Sequence, residues 1–405
     1  MNNQLYEEFK EILHSELIPA LGCTEPGAIA YAAAQTRALL GEKPDSIELW
    51  CSGNIVKNVK GVIVPNSGGM RGIEAAAVLG ILATPNICSD ENDLEVLNNI
   101  TQDDINEAKT LLKNNFCKCH LEEDTPNLYI KVIARSGRHQ AQVIIKDSHT
   151  NIVSKVLDGN IIVDGDSIHS DAYIEKLKDK LSVKEILKFA DMLTEQDGEK
   201  IFAMQVEANS AIAEEGLTGD YGARVGQTLL KSRGGKSVQA RAVAKAAAGS
   251  DARMNGCIMP VVINSGSGNQ GITVTVPVVE YVKDMGLSKD MLYKALSISN
   301  LISIHIKHHI GKLSAFCGAV SASCGSGAAI AYLKGADYNQ ICHTISNTLG
   351  NVGGIVCDGA KASCAAKIAS SLDAAFLGYD MAKDDLCFKS GEGFVEEDIE
   401  ETIDN

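Results

Sequence analysis

Long runs of small residues in the second half of the chain constrain its fold more than any other feature. Alanine, glycine and serine dominate "ARAVAKAAAGSDARM" (240–254) and "CGAVSASCGSGAAIAYLKGA" (317–336). Small side chains let helix backbones approach closely, because the distance between packed helices depends on the side chains at the contact. We therefore predict a tightly packed helical core from about residue 182 onward, which the N-terminal helices join.

Between about residues 127 and 165 the pattern changes to short β-branched runs. "NLYIKVIAR", "HQAQVIIKD", "NIVSKVLDG" and "NIIVDG" are separated by turn residues at hairpin spacing. These runs predict a small antiparallel sheet, which strands near 47–64 would join. The expected fold is α+β, with a helical part (1–44 and 182–405) and a smaller α/β region (45–181). "GITVTVPVVEYV" (271–282) fits either a strand or a buried helix.

Charge and cysteine content restrict the class of partner. The 405 residues carry a net charge of −15, which argues against nucleic acid and anionic membranes as general partners. The chain starts with an acidic amphipathic segment rather than a leader, and no uncharged apolar run reaches membrane-spanning length. We therefore expect a cytoplasmic location, where the 12 cysteines act as buried thiols, metal ligands or catalytic groups.

Three cysteines lie among glycines: Cys23 in "LGCTEP", Cys317 in "LSAFCGAV" and Cys357 in "GGIVCDGA". Cys23 precedes a predicted helix, a position that favours the thiolate, although a thiol buried at a tight turn fits as well. Adjacent glycines would admit an iron–sulfur cluster, and a cluster with three thiolate ligands keeps one iron open as a Lewis acid. "CKCH" (117–120) lacks a second ligand pair and is interpreted as structural.

Two polar glycine loops, "PNSGGMRG" (65–72) and "NSGSGNQG" (264–271), share the tripeptide Asn-Ser-Gly. Such loops can direct several N–H groups toward one anion, so we expect them to bind the carboxylate and amine of a small substrate. Ordinary tight turns are the alternative. The candidate substrate-binding residues are Asn66, Ser67, Gly68, Gly69, Asn264, Ser265, Ser267, Asn269 and Gln270.

The segment "HIKHHIGKLSAFCG" (305–318) contains the candidate general bases Lys307, His305, His308 and His309. A histidine, or a lysine whose pKa is depressed, can accept a proton near neutral pH. A basic helix face that offsets nearby carboxylates is the alternative interpretation.

In this order, the motifs "PALGCTEPGAIAYAAA", "NSGGMRGIEAAAVLG", "IAEEGL", "GSDARMNG", "NSGSGNQGITVTVPV", "IGKLSAFCGAVSASCGSGAAI" and "GNVGGIVCDGAKASCAAKI" run along the chain. Together they closely resemble the L-cysteine desulfidase family, a relative of the α-chain of the iron–sulfur L-serine dehydratases. The resemblance covers nearly the whole chain. It implies a [4Fe–4S] lyase without pyridoxal phosphate that converts L-cysteine and water to pyruvate, ammonia and hydrogen sulfide.

The resemblance also assigns residues. It implies that Cys23, Cys317 and Cys357 bind the cluster, with Cys324 and Cys364 as lower-ranked thiols in the same motifs. Lys312 stands where the family often has arginine, and at a carboxylate site lysine would keep the charge but lose the forked geometry.

Two alternatives stay open. One is dehydration of L-serine or a related amino acid. The other, of a different class, is a non-enzymatic iron–sulfur or thiol-based sensor or binding protein in which Cys324, Cys364 or Cys387 completes the ligand set. The expected partner of the enzyme is a small amino-acid substrate, and the chain is a possible homo-oligomer.

Overall fold

A computed structural model describes residues 1–22, 24–83, 93–165, 169–311 and 313–405. Its α-helices are α1 (Asn3–Glu16), α2 (Thr24–Leu40), α3 (Gly53–Val59), α4 (Ile73–Leu82), α5 (Gln102–Lys113), α6 (His169–Lys178), α7 (Val183–Met192), α8 (Glu195–Thr218), α9 (Val225–Arg233), α10 (Val238–Met254), α11 (Gly268–Met285), α12 (Lys289–Ile310), α13 (Gly318–Leu333), α14 (Tyr338–Val352), α15 (Cys364–Ala382) and α16 (Ile399–Asp404). Its strands are β1 (Pro19–Leu21), β2 (Ser46–Cys51), β3 (Cys117–Leu121), β4 (Tyr129–Ser136), β5 (His139–Lys146), β6 (Ile152–Leu157), β7 (Asn160–Asp164) and β8 (Pro260–Val262). The predicted α+β fold is confirmed.

The first hydrophobic core lies in the helical part and depends on small residues where helices cross. A Cβ atom built on Gly325 of α13 would lie 2.1 Å from the carbonyl oxygen of Ser299 in α12. A Cβ atom on Gly216 of α8 would lie 1.9 Å from the carbonyl oxygen of Ala248 in α10. Only glycine permits such an approach, so these positions fix how closely the helices pack.

The second core lies between helices α2 and α4 and a mixed sheet of strand order β3-β2-β4-β5-β6-β7. Strands β2 and β3 are parallel, and the other neighbouring pairs are antiparallel. Alternate residues of β4 are buried, as the period of two predicts for a sheet with one covered face. The predicted antiparallel strands and the addition of β2 to them agree with this sheet.

The expectation of strands throughout 47–64 is wrong beyond Cys51. The hydroxyl of Ser52 donates to the carbonyl of Asn127 (2.8 Å), and the chain then turns into helix α3. After α3, Ile63 forms an isolated bridge with Arg71 instead of a strand. The ambiguous segment 271–282 is part of helix α11.

The division of the chain into two parts remains a prediction, but the cores show where its first segment packs. Helix α1 contributes Phe9 and Ile12 to the first core. Helix α2 contributes Ala28 and Ile29 to the second core, although residues 1–44 were expected to pack with the helical part.

Residues near the start of the chain contact the second Asn-Ser-Gly loop. Strand β1 pairs with β8 in a small antiparallel sheet, with Pro19 opposite Val262. The hydroxyl of Thr24 donates to the carbonyl of Gly266 (3.1 Å). These contacts bring the start of α2 to the loop that precedes α11. Among the residues described, none of the helices is both long enough and apolar enough to cross a membrane.

Candidate functional site

A cavity of about 310 Å³ lies where loops of the two cores meet. Leu128, beside the sheet, and Ile263, beside the helical part, both line it. Its polar wall includes Thr24, Arg253, Ser265, Gln270, Lys307, Cys317 and Cys357. This volume is near the lower end of the range that is typical of sites for small molecules.

Cys317 and Cys357 are held together by two crossing loop segments. The N–H of Cys317 donates to the carbonyl of Ile355 (2.9 Å), and the N–H of Cys357 donates to the carbonyl of Ala315 (2.7 Å). Between them, Phe316 and Val356 form an antiparallel bridge. Because side chains alternate across such a pairing, the two cysteines share the face opposite to Phe316 and Val356.

Cys364, the first residue of α15, lines the same cavity, and its thiol contacts the carbonyl of Gly359 (3.6 Å). Cys324 is fully buried inside α13, away from the cavity lining. Cys387 lies beyond α15 and is likewise absent from the lining residues described. Cys23 lies outside the described residues, but the next residue, Thr24, lines the cavity.

Burial raises the pKa of the Cys317 thiol, and the neighbouring Cys357 and Cys364 raise it further. An N–H at the start of α13 acts in the opposite direction, because it bonds the sulfur. Burial also raises the pKa of the Cys364 thiol. These thiols therefore need a cationic ligand to ionise at neutral pH.

Lys307 extends from the last turns of α12 into this cavity and is only 7% exposed. None of the described residues forms an ion pair or hydrogen bond with its ammonium group. Burial lowers its pKa to about 8, against an opposing effect of Cys357 and Cys317. Unpaired buried lysines are costly when charged, so Lys307 is set to exchange a proton near neutral pH.

The three candidate histidines lie elsewhere and contact carboxylates. His305 contacts Glu400 (2.6 Å) and His309 contacts Asp404 (3.0 Å), both in α16. His308 contacts Glu175 (3.1 Å) and Asp179 (2.8 Å), and it borders a neighbouring cavity that shares Lys307 with the first. The structure therefore brings Lys307, but not these histidines, to the cysteines.

The loop at 264–270 faces the cavity and begins with a tight turn. Ser265 and Gly266 have φ angles of 49° and 75°, and the N–H and C=O groups of Asn264 and Ser267 bond each other across the turn. The fully buried amide of Asn264 binds Asn300 (3.0 Å) and Ser303 (3.1 Å) of α12, so it holds the loop in place. Ser265, Ser267, Asn269 and Gln270 line the cavity.

The loop at 66–69 does not reach this cavity among the residues described. The amide of Asn66 donates to the carbonyl of Leu97 (2.9 Å), and the hydroxyl of Ser67 donates to the carbonyl of Met70 (3.2 Å). Gly68 and Gly69 adopt positive φ angles of 65° and 90°. This loop has the geometry of an ordinary tight turn, the alternative to an anion-binding loop. Lys312 lies outside the described residues.

Buried polar residues of the cavity that were not predicted as site residues from the sequence include Arg253, Glu25 and Asn58. The amide of Asn58 donates to the carboxylate of Glu25 (2.8 Å). Arg253 has no such partner among the described residues, and its Nε is buried without a hydrogen bond. Arg253 ends the small-residue run of α10, and a charged residue in such a run is the signal that could have identified it.

The described residues contain no group of three His, Cys, Asp or Glu side chains placed to hold a metal ion. Cys317 and Cys357 are diagonal neighbours across the bridge, an arrangement in which side chains are typically about 7–8 Å apart. Both thiols line one cavity, and thiolates are the usual ligands of iron–sulfur clusters.

Comparison with known proteins identifies a family. The family described as "Serine dehydratase alpha chain" matches residues 91–405, well over half of the chain. A UPF0597 protein of Finegoldia magna is 46% identical over 399 residues, which cover 98% of this chain and 94% of that protein. UPF0597 proteins of Desulfitobacterium hafniense (46% over 405 residues, 100% and 93%) and Lachnoclostridium phytofermentans (47% over 406 residues, 99% and 94%) are similarly related. The chain therefore belongs to the serine dehydratase alpha-chain family.

Proposed function

We propose that this chain is an iron–sulfur-dependent lyase that converts L-cysteine and water to pyruvate, ammonia and hydrogen sulfide. Membership of the serine dehydratase alpha-chain family supports a dehydratase-type lyase in general. The observation that carries the proposal is the meeting of Cys317, Cys357 and the unpaired Lys307 in one polar cavity.

The donor set fits a cluster by its chemistry. Thiolates are the usual ligands of iron–sulfur clusters, and Cys317 and Cys357 direct two thiols toward one cavity. We assign them, with Cys23, as the residues that would hold a [4Fe–4S] cluster. When bound through three thiolates, such a cluster supplies a Lewis-acidic iron that stabilises a departing sulfide.

Lys307 is the proposed general base. Its burial favours the neutral amine, which can accept the α-proton of a bound amino acid. Loss of that proton and of hydrosulfide (HS⁻) from the β-carbon gives 2-aminoacrylate. This product tautomerises to the imine, which water hydrolyses to pyruvate and ammonia. The proton on Lys307 then leaves with the sulfide as hydrogen sulfide, so atoms and charges balance.

The loop at 264–270 is the proposed substrate-orienting segment. Ser265, Ser267, Asn269 and Gln270 face the cavity, and the buried side-chain oxygens of Asn269 and Gln270 have no hydrogen-bond partner. A bound ammonium group would satisfy both oxygens. Fixed polar groups of this kind lower the barrier by holding the α-proton near the base.

Dehydration of L-serine is the second candidate, and the family match favours it directly. A departing hydroxide gains from a Lewis acid as sulfide does, so the same base and loop would serve. The ratio of kcat/KM for L-cysteine to that for L-serine separates the two activities. A sensor is less well supported, because a fully ligated cluster needs neither an unpaired lysine nor open volume beside it.

The test is anaerobic reconstitution of the chain with iron and sulfide, followed by assay of sulfide and pyruvate from L-cysteine. We expect about four irons per chain and equal amounts of the two products. A cluster with pyruvate from L-serine alone would establish the dehydratase. A cluster without turnover of either amino acid would favour the sensor. Failure to bind iron would overturn the lyase, the dehydratase and the sensor alike.

A further inference from the structure

Arg253 is buried in the candidate site with its charge unbalanced. It is 4% exposed, it lines the cavity, and its guanidinium forms no ion pair or hydrogen bond with any residue that the structure describes. Buried arginines are ordinarily paired, since an uncompensated charge away from water is expensive. An anionic ligand of the cavity would supply the missing partner.

Helix α11 begins beside this guanidinium. A Cβ atom on Gly268, the first residue of α11, would lie 2.3 Å from Nε of Arg253, so the absence of a side chain there makes room for the arginine. The N–H groups of the first turn of a helix have no partners within the helix, and the helix dipole favours an anion at this end. The N–H of Gln270 in this turn donates to the hydroxyl of Ser267 (3.5 Å), so the N–H groups of Gly268 and Asn269, beside Arg253, are the donors left for a ligand.

The acidic side chains that line the cavity, Glu16, Glu25 and Asp147, form no ion pair with Arg253. The carboxylate of Glu25 accepts from Asn58 (2.8 Å) and from the hydroxyl of Thr24 (3.1 Å). The carboxylate of Glu16 forms an ion pair with Lys178. Neither carboxylate pairs with Arg253, which leaves the guanidinium for a ligand.

The neighbouring groups give the ligand a direction. A Cβ atom on Gly318 would lie 2.6 Å from the amide of Gln270, and Gly318 directly follows Cys317. Arg253 therefore lies against Gly268 at the start of α11, and Gln270, two residues later, lies against Gly318 beside Cys317. Asn269 and Gln270, whose buried side-chain oxygens have no hydrogen-bond partner, line the same cavity as Arg253 and Cys317.

We propose that Arg253 and the first turn of α11 bind the α-carboxylate of the substrate amino acid. The ammonium group then meets the oxygens of Asn269 and Gln270, and the side chain of the substrate points toward Cys317 and Cys357. This inference deepens the proposed function and rests on it for the reaction, but the requirement for a free carboxylate stands independently of any turnover.

The test measures binding of L-alanine and L-alaninamide to the full chain by isothermal titration calorimetry, with and without the reconstituted cluster. L-alanine has no leaving group, so binding is measured without chemistry. The wild-type chain should bind L-alanine and not the amide. Arg253→Gln should weaken L-alanine binding roughly 30-fold or more, as truncation of one member of a buried charge pair does. Arg253→Lys should bind with intermediate affinity, because lysine keeps the charge without the fork.

The matched control is Arg241→Gln in the same helix, since Arg241 pairs with Glu280 and Asp284 and does not line the cavity. It should leave L-alanine binding unchanged. Thermal unfolding checks the fold of each variant. Arg253→Gln removes an unpaired charge, so its melting temperature should not fall below that of the wild type. If Arg253→Gln does not fold, L-alanine binding is compared between Arg253→Lys and the wild type instead.

L-alanine binding by Arg253→Gln at wild-type strength would overturn the inference. So would loss of iron from that variant with L-alanine binding retained, because Arg253 would then serve the thiolates. Arg253-dependent binding of L-alanine in a chain that makes no pyruvate would refute the proposed function and keep the carboxylate site. If the chain is an active lyase and its KM is unchanged in Arg253→Gln, the proposed function is kept and the carboxylate site is refuted.

Discussion

Cys317 and Cys357 are diagonal neighbours across a short antiparallel bridge, fixed by hydrogen bonds of 2.9 and 2.7 Å to Ile355 and Ala315. The bridge joins two loops that lie far apart in sequence, one around residue 317 and the other around residue 357. The geometry therefore places two thiols on one face before any ligand binds. Such preorganisation reduces the entropic cost of assembling a metal site.

The first prediction follows from this pair. Replacement of either cysteine, as Cys317→Ala or Cys357→Ala, should abolish both iron retention and turnover, because the remaining thiols are too few to hold the cluster. Iron analysis and the pyruvate assay after anaerobic reconstitution measure the two effects.

Cys324→Ala is the matched control, because Cys324 is fully buried in α13 and does not line the cavity. It should keep its iron and its activity, at a cost of about 1 kcal/mol in stability for the lost sulfur contacts. A Cys317→Ala variant with normal iron content and full activity would remove the basis for the cluster assignment.

The second prediction concerns Lys307 as base. Lys307→Met should reduce kcat by about 10²–10⁴-fold while the cluster remains bound. The wild-type kcat/KM should rise with pH through an apparent pKa of about 8, because the base must be neutral and burial lowers the pKa of Lys307 to that value against the opposing effect of Cys357 and Cys317. Measurements of kcat/KM between pH 6.5 and 10 test this rise.

His309→Gln is the control for Lys307→Met, since His309 lies on the same helix and pairs with Asp404 (3.0 Å). Its activity should stay within a few-fold of the wild type. If Lys307→Met retains that level while His309→Gln is inactive, the base assignment is wrong and the α16-facing side of the helix holds the essential group.

Local patterns in the sequence predicted the sheet and drew attention to the glycine-flanked cysteines, because such signals are short-range. The alternation in β4 and the glycines around Cys317 and Cys357 are visible in single segments. Helix α11 was ambiguous because residues 271–282 are buried on all sides, which removes the helical period.

The parts of the site that the sequence did not predict depend on distant residues. The acids that pair with His305 and His309 lie in α16, 95 residues further along the chain. The two Asn-Ser-Gly loops look alike, yet Asn66 bonds the carbonyl of Leu97 while Asn264 bonds Asn300. That Arg253 lacks a partner can be read only from the packed structure.

A third prediction tests the close helix contact at Gly325. Gly325→Ala should lower the free energy of unfolding by about 1–3 kcal/mol, because the new methyl group would lie 2.1 Å from the carbonyl oxygen of Ser299. Urea denaturation measures the change. Gly61→Ala is the control, since a Cβ atom there meets no described atom within 4 Å. Equal midpoints for the two variants would show that α12 and α13 do not pack as closely as described.

The fourth prediction concerns Asp251, which is fully buried in α10. One carboxylate oxygen accepts from the N–H of Gly226 (2.9 Å) at the start of α9, and the other has no hydrogen-bond partner. Burial raises the pKa of this carboxyl to about 6, against the opposing effect of N–H groups at Gly226 and Val225.

The sign of the effect follows from the raised pKa. The folded chain holds the proton of Asp251 more tightly than the unfolded chain, in which the pKa is 3.8. The contribution to stability is therefore full below pH 3.8 and is lost as pH rises toward about 6. Asp251→Asn removes this titration, so its stability relative to the wild type should increase by roughly 2 kcal/mol between pH 4.5 and 7.

Urea unfolding of cluster-free protein across this pH range measures the difference, and Asp384→Asn at an exposed position is the control. The Asp251→Asn curve should diverge from the wild-type curve as pH rises, while the control stays parallel to it. Parallel curves for both variants would mean that water or another group stabilises the Asp251 carboxylate in the folded chain.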